Sequence, residues 1–340
     1  MKGDFVSDIK DNQPVNGLFL VKSATLSETR NGKPFLSLVV MDNSGEITSR
    51  VWDNAEAIQP LCRPGAVIRL NALAQSYKGA LQLKINTLEG GEPPDGDMSH
   101  FLPATSGDIP EMAAALQKLG KSIPDQAYRE LVGSFFADRR IFAMIKEAPA
   151  AKGMHHAYYG GLLEHTLGVA RLADAVAGLY PTIDRSLLLA GAILHDIGKL
   201  SEFDFADYPI DYSEKGRLVG HMVLGVEMIQ EQAQRIPALS EEKITRLKHL
   251  ILSHHGRHEF GAPTLPMMLE AFVLHFLDDL DAKVNYITGL AGRLAEDEYQ
   301  WTDYQRNLER FLLVRGAPGD RESAEPENPE IDPRQRSLWG

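Results

Sequence analysis

The chain has 340 residues and a mass of 37.6 kDa, too long for one small core and enough for two or three domains at ~100–200 residues each. Its 44% hydrophobic, 24% charged and 8% aromatic content excludes a fibrous or wholly disordered chain. Its single cysteine, Cys62, excludes an internal disulfide framework and a paired-cysteine zinc ribbon, and fits a reducing compartment.

The formal charge of −12 argues against nucleic-acid binding through a general basic field. Over residues 1–92, however, ten Lys and Arg balance ten Asp and Glu, so the acidity lies further along the chain. No apolar run approaches the ~20 residues of a membrane span. The start MKGDFVSDIKDNQPV has no apolar signal-peptide core. These features predict a cytoplasmic protein with no membrane partner.

Residues 15–89 predict five strands. Apolar runs at Leu18 to Val21, Phe35 to Met41, Ile47 to Trp52, Val67 to Ala74 and Leu81 to Ile85 alternate with turn signals. The turn Asp42-Asn43-Ser44-Gly45 and the tip Tyr77-Lys78-Gly79 suit hairpins. With a helical stretch from Asp53 to Leu61 between the third and fourth runs, the pattern predicts a five-stranded OB-fold β-barrel over residues 12–92. After Leu88, the string EGGEPPDGD cannot continue a strand and marks a linker.

From Asp108 the texture is helical. IPEMAAALQKLG and DQAYRELVGSFFADRRIFAMIKEAP carry apolar residues near i, i+3, i+4 spacing, so residues 93–149 read as a linker and helical connector. Residues 150–315 predict an all-α domain with helices near 161–180, 185–195, 221–235, 240–253, 266–290 and 302–314. Over 316–340 prolines and charges leave little to bury, which predicts a disordered tail.

Most of the eleven histidines fall between residues 155 and 275. In LAGAILHDIGKL an apolar helix delivers His195 and Asp196 at its end, before Gly198 lets the chain turn. Neighbours on a helix project ~100° apart, so this pair can flank a common point. His254 and His255 end a second apolar helix ahead of Gly256, His165 lies on the apolar side of a third, His221 opens a fourth, and Asp278 lies in EAFVLHFLDDLDAKVN. Taken singly, any of these histidines reads as well as a core or surface residue. Together, imidazoles and carboxylates are the donors that borderline divalent metals accept, and without metal such a cluster would strand polar groups in a helical core.

The order His, His-Asp, His, His-His, Asp resembles the HD metal-dependent phosphohydrolase superfamily. The fuller strings HHAYYGGLLEHTL, LLLAGAILHDIGK, GHMVLG, LSHHGRHEFGAPTLPMMLEA and LDDLDAK resemble the YhaM family of 3′-to-5′ exoribonucleases, over about residues 12–315. The family joins an amino-terminal OB-fold to an HD domain, here residues 150–315. The resemblance implies one ion held by His165, His195, Asp196 and Asp278, and a second held by Asp196 as bridge with His221, His254 and His255. Asp279 and Asp281 are near alternatives to Asp278. The implied cofactors are two divalent ions, Mn before Fe, Co or Zn, activating a hydroxide that releases nucleoside 5′-monophosphates from single-stranded RNA, with single-stranded DNA as a second substrate.

Asp196 is then catalytic as well as a ligand, Lys199 and Arg257 are placed to reach a substrate phosphate, and His155 and His156 are candidates either to contact substrate or to support the metal ligands from behind. In the barrel, OB-folds hold single strands by stacking bases on aromatics and tracking phosphates with Lys and Arg. Phe19, Phe35, Trp52 and Tyr77 are the aromatics available, and alternation must bury some of them. Phe35 and Tyr77, beside Lys33 and Lys78, are the better exposed candidates, with Arg50 and Lys84 nearby. The alternative reading is an HD phosphohydrolase of free nucleotides or cyclic dinucleotides with the barrel as regulator. The sequence sets no oligomeric state, so an oligomer stays open.

Overall fold

Alternation in the first 90 residues produces five strands: β1 (Pro14–Glu28), β2 (Pro34–Asp42), β3 (Gly45–Val51), β4 (Val67–Tyr77) and β5 (Ala80–Gly90). They close into a barrel in the order β1-β2-β3-β5-β4, sealed by parallel pairing of β3 with β5 from Thr48 against Gln82 to Val51 against Ile85. This is the OB-fold order, and α1 (Ala55–Ile58) with a 3-10 turn at Gln59–Leu61 stands between β3 and β4. The first strand serves both neighbours. Pro14 to Leu20 pairs with β4 and Leu20 to Glu28 with β2, and a register irregularity between Val21 and Ser23 bends it between the two.

Val15, Phe19, Val21, Leu36, Leu38, Val40, Leu70 and Leu83 fill the barrel, so Phe19 is core. Leu18, Leu20, Met41 and Val67 face the other way and are buried with Phe101. The chain leaving β5 therefore docks on the barrel wall before it enters the helices.

The structure, a computed structural model, describes residues 2–29, 31–77, 80–94, 98, 100–152, 156–205, 210–292, 294–295 and 297–316. Lys78, His155 and, apart from Gly316, the tail expected over 316–340 lie outside the described residues.

The helices are α2 (Ile109–Lys121), α3 (Gln126–Ala137), α4 (Arg139–Glu147), α5 (Gly161–Leu179), α6 (Arg185–Leu194), α7 (Lys199–Glu202), α8 (Glu214–Val219), α9 (His221–Ala233), α10 (Glu241–Ser253) and α11 (Leu269–Ala291). Asp108, Asp125, Asp138, Asp184, Ser213 and Ser240 cap six of them by accepting from amides of the first turn, each worth ~1 kcal/mol. Asp138 both ends α3 and caps α4, so one long helical string becomes two helices. From Leu187 to Leu194 every residue of α6 is buried, as a helix apolar all round must be. The core around it runs without a break from Ala113 in α2 to Leu277 in α11. A short β6 (Phe203–Asp204) and β7 (Asp211–Tyr212) pair beside α7. Among the described residues no helix is long and apolar enough to cross a membrane.

The chain divides into two compact units, 1–284 and 285–340. In the second, the helix expected at 302–314 is absent. In its place β8 (Tyr299–Trp301) pairs antiparallel with β9 (Leu313–Arg315). The Thr302 amide donates to the Leu312 carbonyl, the Gln305 amide donates to the Arg310 carbonyl, and Glu309 adopts a left-handed φ of 54°, which no α-helix admits. Tyr304 and Phe311, the apolar signal for a helix, are exposed.

Candidate metal centre

Five helices aim side chains at one point. His165 comes from the first half of α5, His195 and Asp196 from the turn that ends α6, His221 from the first residue of α9, His254 and His255 from the end of α10, and Asp278 from the middle of α11. Glycines permit the approach. A methyl group on Gly198 would overlap the His221 carbonyl oxygen and lie 2.5 Å from the Gly225 nitrogen, so the exit of α6 can touch the start of α9 only with glycine there. Gly256, at φ 74°, turns the chain after the histidine pair, against the His275 ring.

His165 Nε2 lies 3.1 Å from His195 Nε2, 3.1 Å from Asp278 Oδ1 and 3.5 Å from Asp196 Oδ2. His195 Nε2 is 3.4 Å from the same Asp196 oxygen. The other oxygen of Asp196, Oδ1, stands 3.6 Å from both His221 Nε2 and His254 Nε2. One ring nitrogen from each of His221, His254 and His255 lies within 4.8 Å of the other two. Asp196 thus presents one oxygen to each histidine set.

The second nitrogen of every imidazole is committed. His195 Nδ1 donates to the Ala192 carbonyl at 2.9 Å, His254 Nδ1 to Ile251 at 2.7 Å and His255 Nδ1 to Phe260 at 2.7 Å. His165 Nδ1 donates to Asp281 Oδ2 at 2.7 Å and His221 Nδ1 to Glu202 Oε1 at 3.0 Å. In the neutral rings these bonds place the Nε2 lone pairs toward the centre. Asp196 Oδ1, His221 Nε2 and His254 Nε2 have no hydrogen-bond partner among the described residues. Each such buried polar atom costs about 1–3 kcal/mol. Convergent lone pairs and carboxylate oxygens of this kind fit divalent cations.

The charges agree. Burial pushes His255 down to about 3 and lowers His254, so both imidazoles are neutral donors near pH 7. Burial also opposes charge on His165, but its bonds to Asp278 and Asp281 outweigh that and hold it up to about 9. A proton on His165 and a divalent ion would be alternative cations for the same carboxylates, so an ion bound there would displace the proton. Asp196 and Asp278 are held well below the usual carboxylate range, against burial, the first by Lys199 and His195 and the second by His165 and His195.

Lys199 is buried with its Nζ 2.6 Å from Asp196 Oδ2, its charge engaged with the centre. Arg257 is exposed on the loop after the histidine pair, its guanidinium 6.0 Å from the Phe260 ring centroid. His156 is buried behind the centre, with Nε2 3.1 Å from Asp281 Oδ2. Of the two alternatives to Asp278, Asp279 pairs with Lys283 and Asp281 accepts from His165 Nδ1. Glu202, which sequence reasoning missed, accepts both the amide and Nδ1 of His221. Its only sequence signal is an acid seven residues after His195, shared with many solvated acids.

On the barrel, half-buried Phe35 stacks on Trp52 with ring centroids 5.0 Å apart and 27° between planes. The Arg50 guanidinium lies 5.3 Å from the Phe35 centroid, and Arg50 pairs in register with exposed Lys84 on β5. Lys33 is exposed and bonded to Asp53 at 2.8 Å. Tyr77 is 56% exposed at the end of β4. Trp52 is the partner that makes Phe35 part of an aromatic platform.

Residues 162–283 match the HD domain family. The chain is 33% identical over 288 residues to the protein named 3′-5′ exoribonuclease YhaM of Bacillus subtilis (strain 168), covering 84% of this chain and 90% of that protein. It is 34% identical over 279 residues to the protein of the same name from Listeria welshimeri, covering 82% and 88%. Among solved structures, the second OB-fold domain of replication protein A from Methanococcus maripaludis aligns with 28% of this chain and 98% of its own at 15% identity, with a TM-score of 0.23.

Proposed function

The chain belongs to the YhaM family of 3′-to-5′ exoribonucleases, and from that premise we propose that it removes nucleotides singly from the 3′ end of single-stranded RNA, and of single-stranded DNA as a second substrate, releasing nucleoside 5′-monophosphates. It is a metal-dependent phosphodiesterase. The observation that carries the finer reading is Asp196, whose two oxygens face two separate histidine sets. One ion would sit with His165, His195, Asp196 and Asp278, the other with Asp196, His221, His254 and His255. Mn is the first choice among the ions that such mixed donors accept. Divalent ions at such a centre supply a hydroxide at neutral pH and offset the charge that builds on the attacked phosphate and the leaving oxygen.

The chain's own residues do the rest. Glu202, Asp281 and the carbonyls of Ala192, Ile251 and Phe260 hold the imidazoles in the tautomer that ligates. Lys199 balances Asp196 and keeps it ionised. His255 and Asp278 are the more open members of the centre, so substrate enters on their side, where exposed Arg257 meets the phosphate of the terminal nucleotide. No side chain is required as nucleophile.

Phe35, Trp52, Arg50 and Lys84 form the platform along which the strand arrives. Because residues 1–92 carry no net charge, affinity there comes from stacking and a few local cations, with a shallow salt dependence. Phe35→Ala is expected to weaken binding of a single-stranded oligoribonucleotide about 10-fold, from ~1–3 kcal/mol per stacked base, with the folded structure retained by circular dichroism and a small drop in melting temperature from the lost stack on Trp52. Unchanged affinity in a filter-binding titration would place the RNA elsewhere.

A 5′-labelled oligoribonucleotide tests the activity. Stepwise shortening with release of 5′-monophosphates is expected. Hydrolysis confined to mononucleotides or cyclic dinucleotides, with oligomers untouched, would contradict the reading.

A further inference from the structure

Behind His165 stands a hydrogen-bonded file of side chains. Tyr158 Oη lies 3.0 Å from both Glu164 Oε2 and His156 Nδ1. His156 Nε2 donates to Asp281 Oδ2 at 3.1 Å, and the same oxygen accepts from His165 Nδ1 at 2.7 Å. The backbone is shaped to admit this file. Gly168 lies one turn beyond His165 on α5, and a methyl group there would overlap Asp281 Oδ1. His156 is held at a left-handed φ of 47°, a conformation that costs a non-glycine residue ~1–3 kcal/mol and persists only where its surroundings enforce it. Its carbonyl accepts from the Ala150 amide at 3.0 Å and lies where a side chain on Gly161 would have to be.

We propose that Asp281 and His156 are positioning residues for the metal centre: Asp281 fixes the His165 tautomer and ring angle so that Nε2 faces the ion, and His156 pins Asp281 in that pose. The inference rests on the metal reading of the centre. Neither residue ligates. The oxygen that Asp281 turns inward is already taken by two N–H donors, and His165 can offer the centre only the nitrogen that Asp281 does not hold. Removing Asp281 frees the ring to rotate and lets it take the other tautomer. Loss of such an outer partner costs about 10- to 100-fold in metal affinity. The same geometry explains why two carboxylates three residues apart on α11 have different duties: Asp278 faces Nε2 of His165 and Asp281 faces Nδ1.

The test uses the full chain, stripped of metal and titrated with MnCl2 by calorimetry, with metal content measured after dialysis. For Asp281→Ala, the affinity of one bound Mn²⁺ is expected to fall about 10- to 100-fold. Turnover should be lost at low Mn²⁺ and recovered as Mn²⁺ is raised; the melt of the metal-free protein falls as well, because the buried His156 and His165 donors lose their acceptor, so Mn²⁺ affinity is the deciding readout. Asp281→Asn, whose amide oxygen still accepts from Nδ1, should lose less. His156→Gln should shift affinity in the same direction by a smaller factor, and it decides the matter if Asp281→Ala does not fold. Wild-type Mn²⁺ affinity in both Asp281→Ala and His156→Gln would overturn the proposal. So would activity lost in these variants that no Mn²⁺ concentration restores. Failure of the unaltered chain to bind Mn²⁺ would remove the metal reading itself, and this inference with it.

Discussion

Asp196→Ala is expected to abolish RNA hydrolysis while RNA affinity stays within about twofold, because stacking and phosphate tracking are proposed to reside in the barrel. Asp196 addresses both histidine sets, through Oδ2 on the His165 and His195 side and Oδ1 on the His221 and His254 side. Its loss removes a carboxylate from each set and leaves the buried Lys199 ammonium without its partner, at a cost of about 3–5 kcal/mol in stability. His195→Ala separates the two consequences. It removes a donor without orphaning Lys199, and it is expected to abolish turnover with a smaller loss of stability. Single-turnover assays beside binding titrations check both variants. Turnover retained by either variant in added Mn²⁺ would refute the assignment of the site.

Gly198→Ala is expected to destabilise the helical region by about 3 kcal/mol, the upper part of the range for overpacking a filled interior. The added methyl would meet the backbone of His221 and Gly225, not a flexible side-chain tip. Relief therefore requires α9 to move off the turn after α6. That movement also withdraws His221 from Asp196, so metal-induced stabilisation should fall together with the metal-free stability. Urea titrations with and without Mn²⁺ measure both. A loss below about 1 kcal/mol would mean that the α6 to α9 contact is softer than its geometry implies.

The barrel was legible because its cues are local. Period-two alternation and two hairpin turns fix the five strands, and their number with one inserted helix leaves few closures. Six of the seven residues expected at the centre sit at a helix end or on an apolar face near glycine, features that spacing reveals; Asp278, in the middle of α11, is singled out from Asp279 and Asp281 by the resemblance to the family's string. Asp281 and Glu202 carry no such mark. Whether an acid three residues past Asp278 touches a metal, a histidine or water depends on how α11 lies against α5, which Gly168 decides through a contact far away in sequence. His156 was visible as one of a histidine pair, but its left-handed backbone, which turns it inward, is set by the crowding of Gly161. The helix expected at 302–314 failed for a related reason. Tyr304, Leu308 and Phe311 have helical spacing, yet the Thr302 to Leu312 and Gln305 to Arg310 hydrogen bonds close a hairpin loop.

The overall acidity also changes meaning. Part of it, Asp196 and Asp278 among the 47 Asp and Glu of the chain, faces the candidate metal centre, where the proposed divalent ions would offset it. The region proposed to hold RNA is neutral.

Anomalous diffraction from crystals of the full chain soaked in MnCl2 tests the metal centre most directly. Two Mn peaks are predicted, one among His165, His195, Asp196 and Asp278 and one among Asp196, His221, His254 and His255, with RNA hydrolysis lost on chelation and restored by Mn²⁺. No peak at this cluster, together with hydrolysis that survives chelation, would contradict the account.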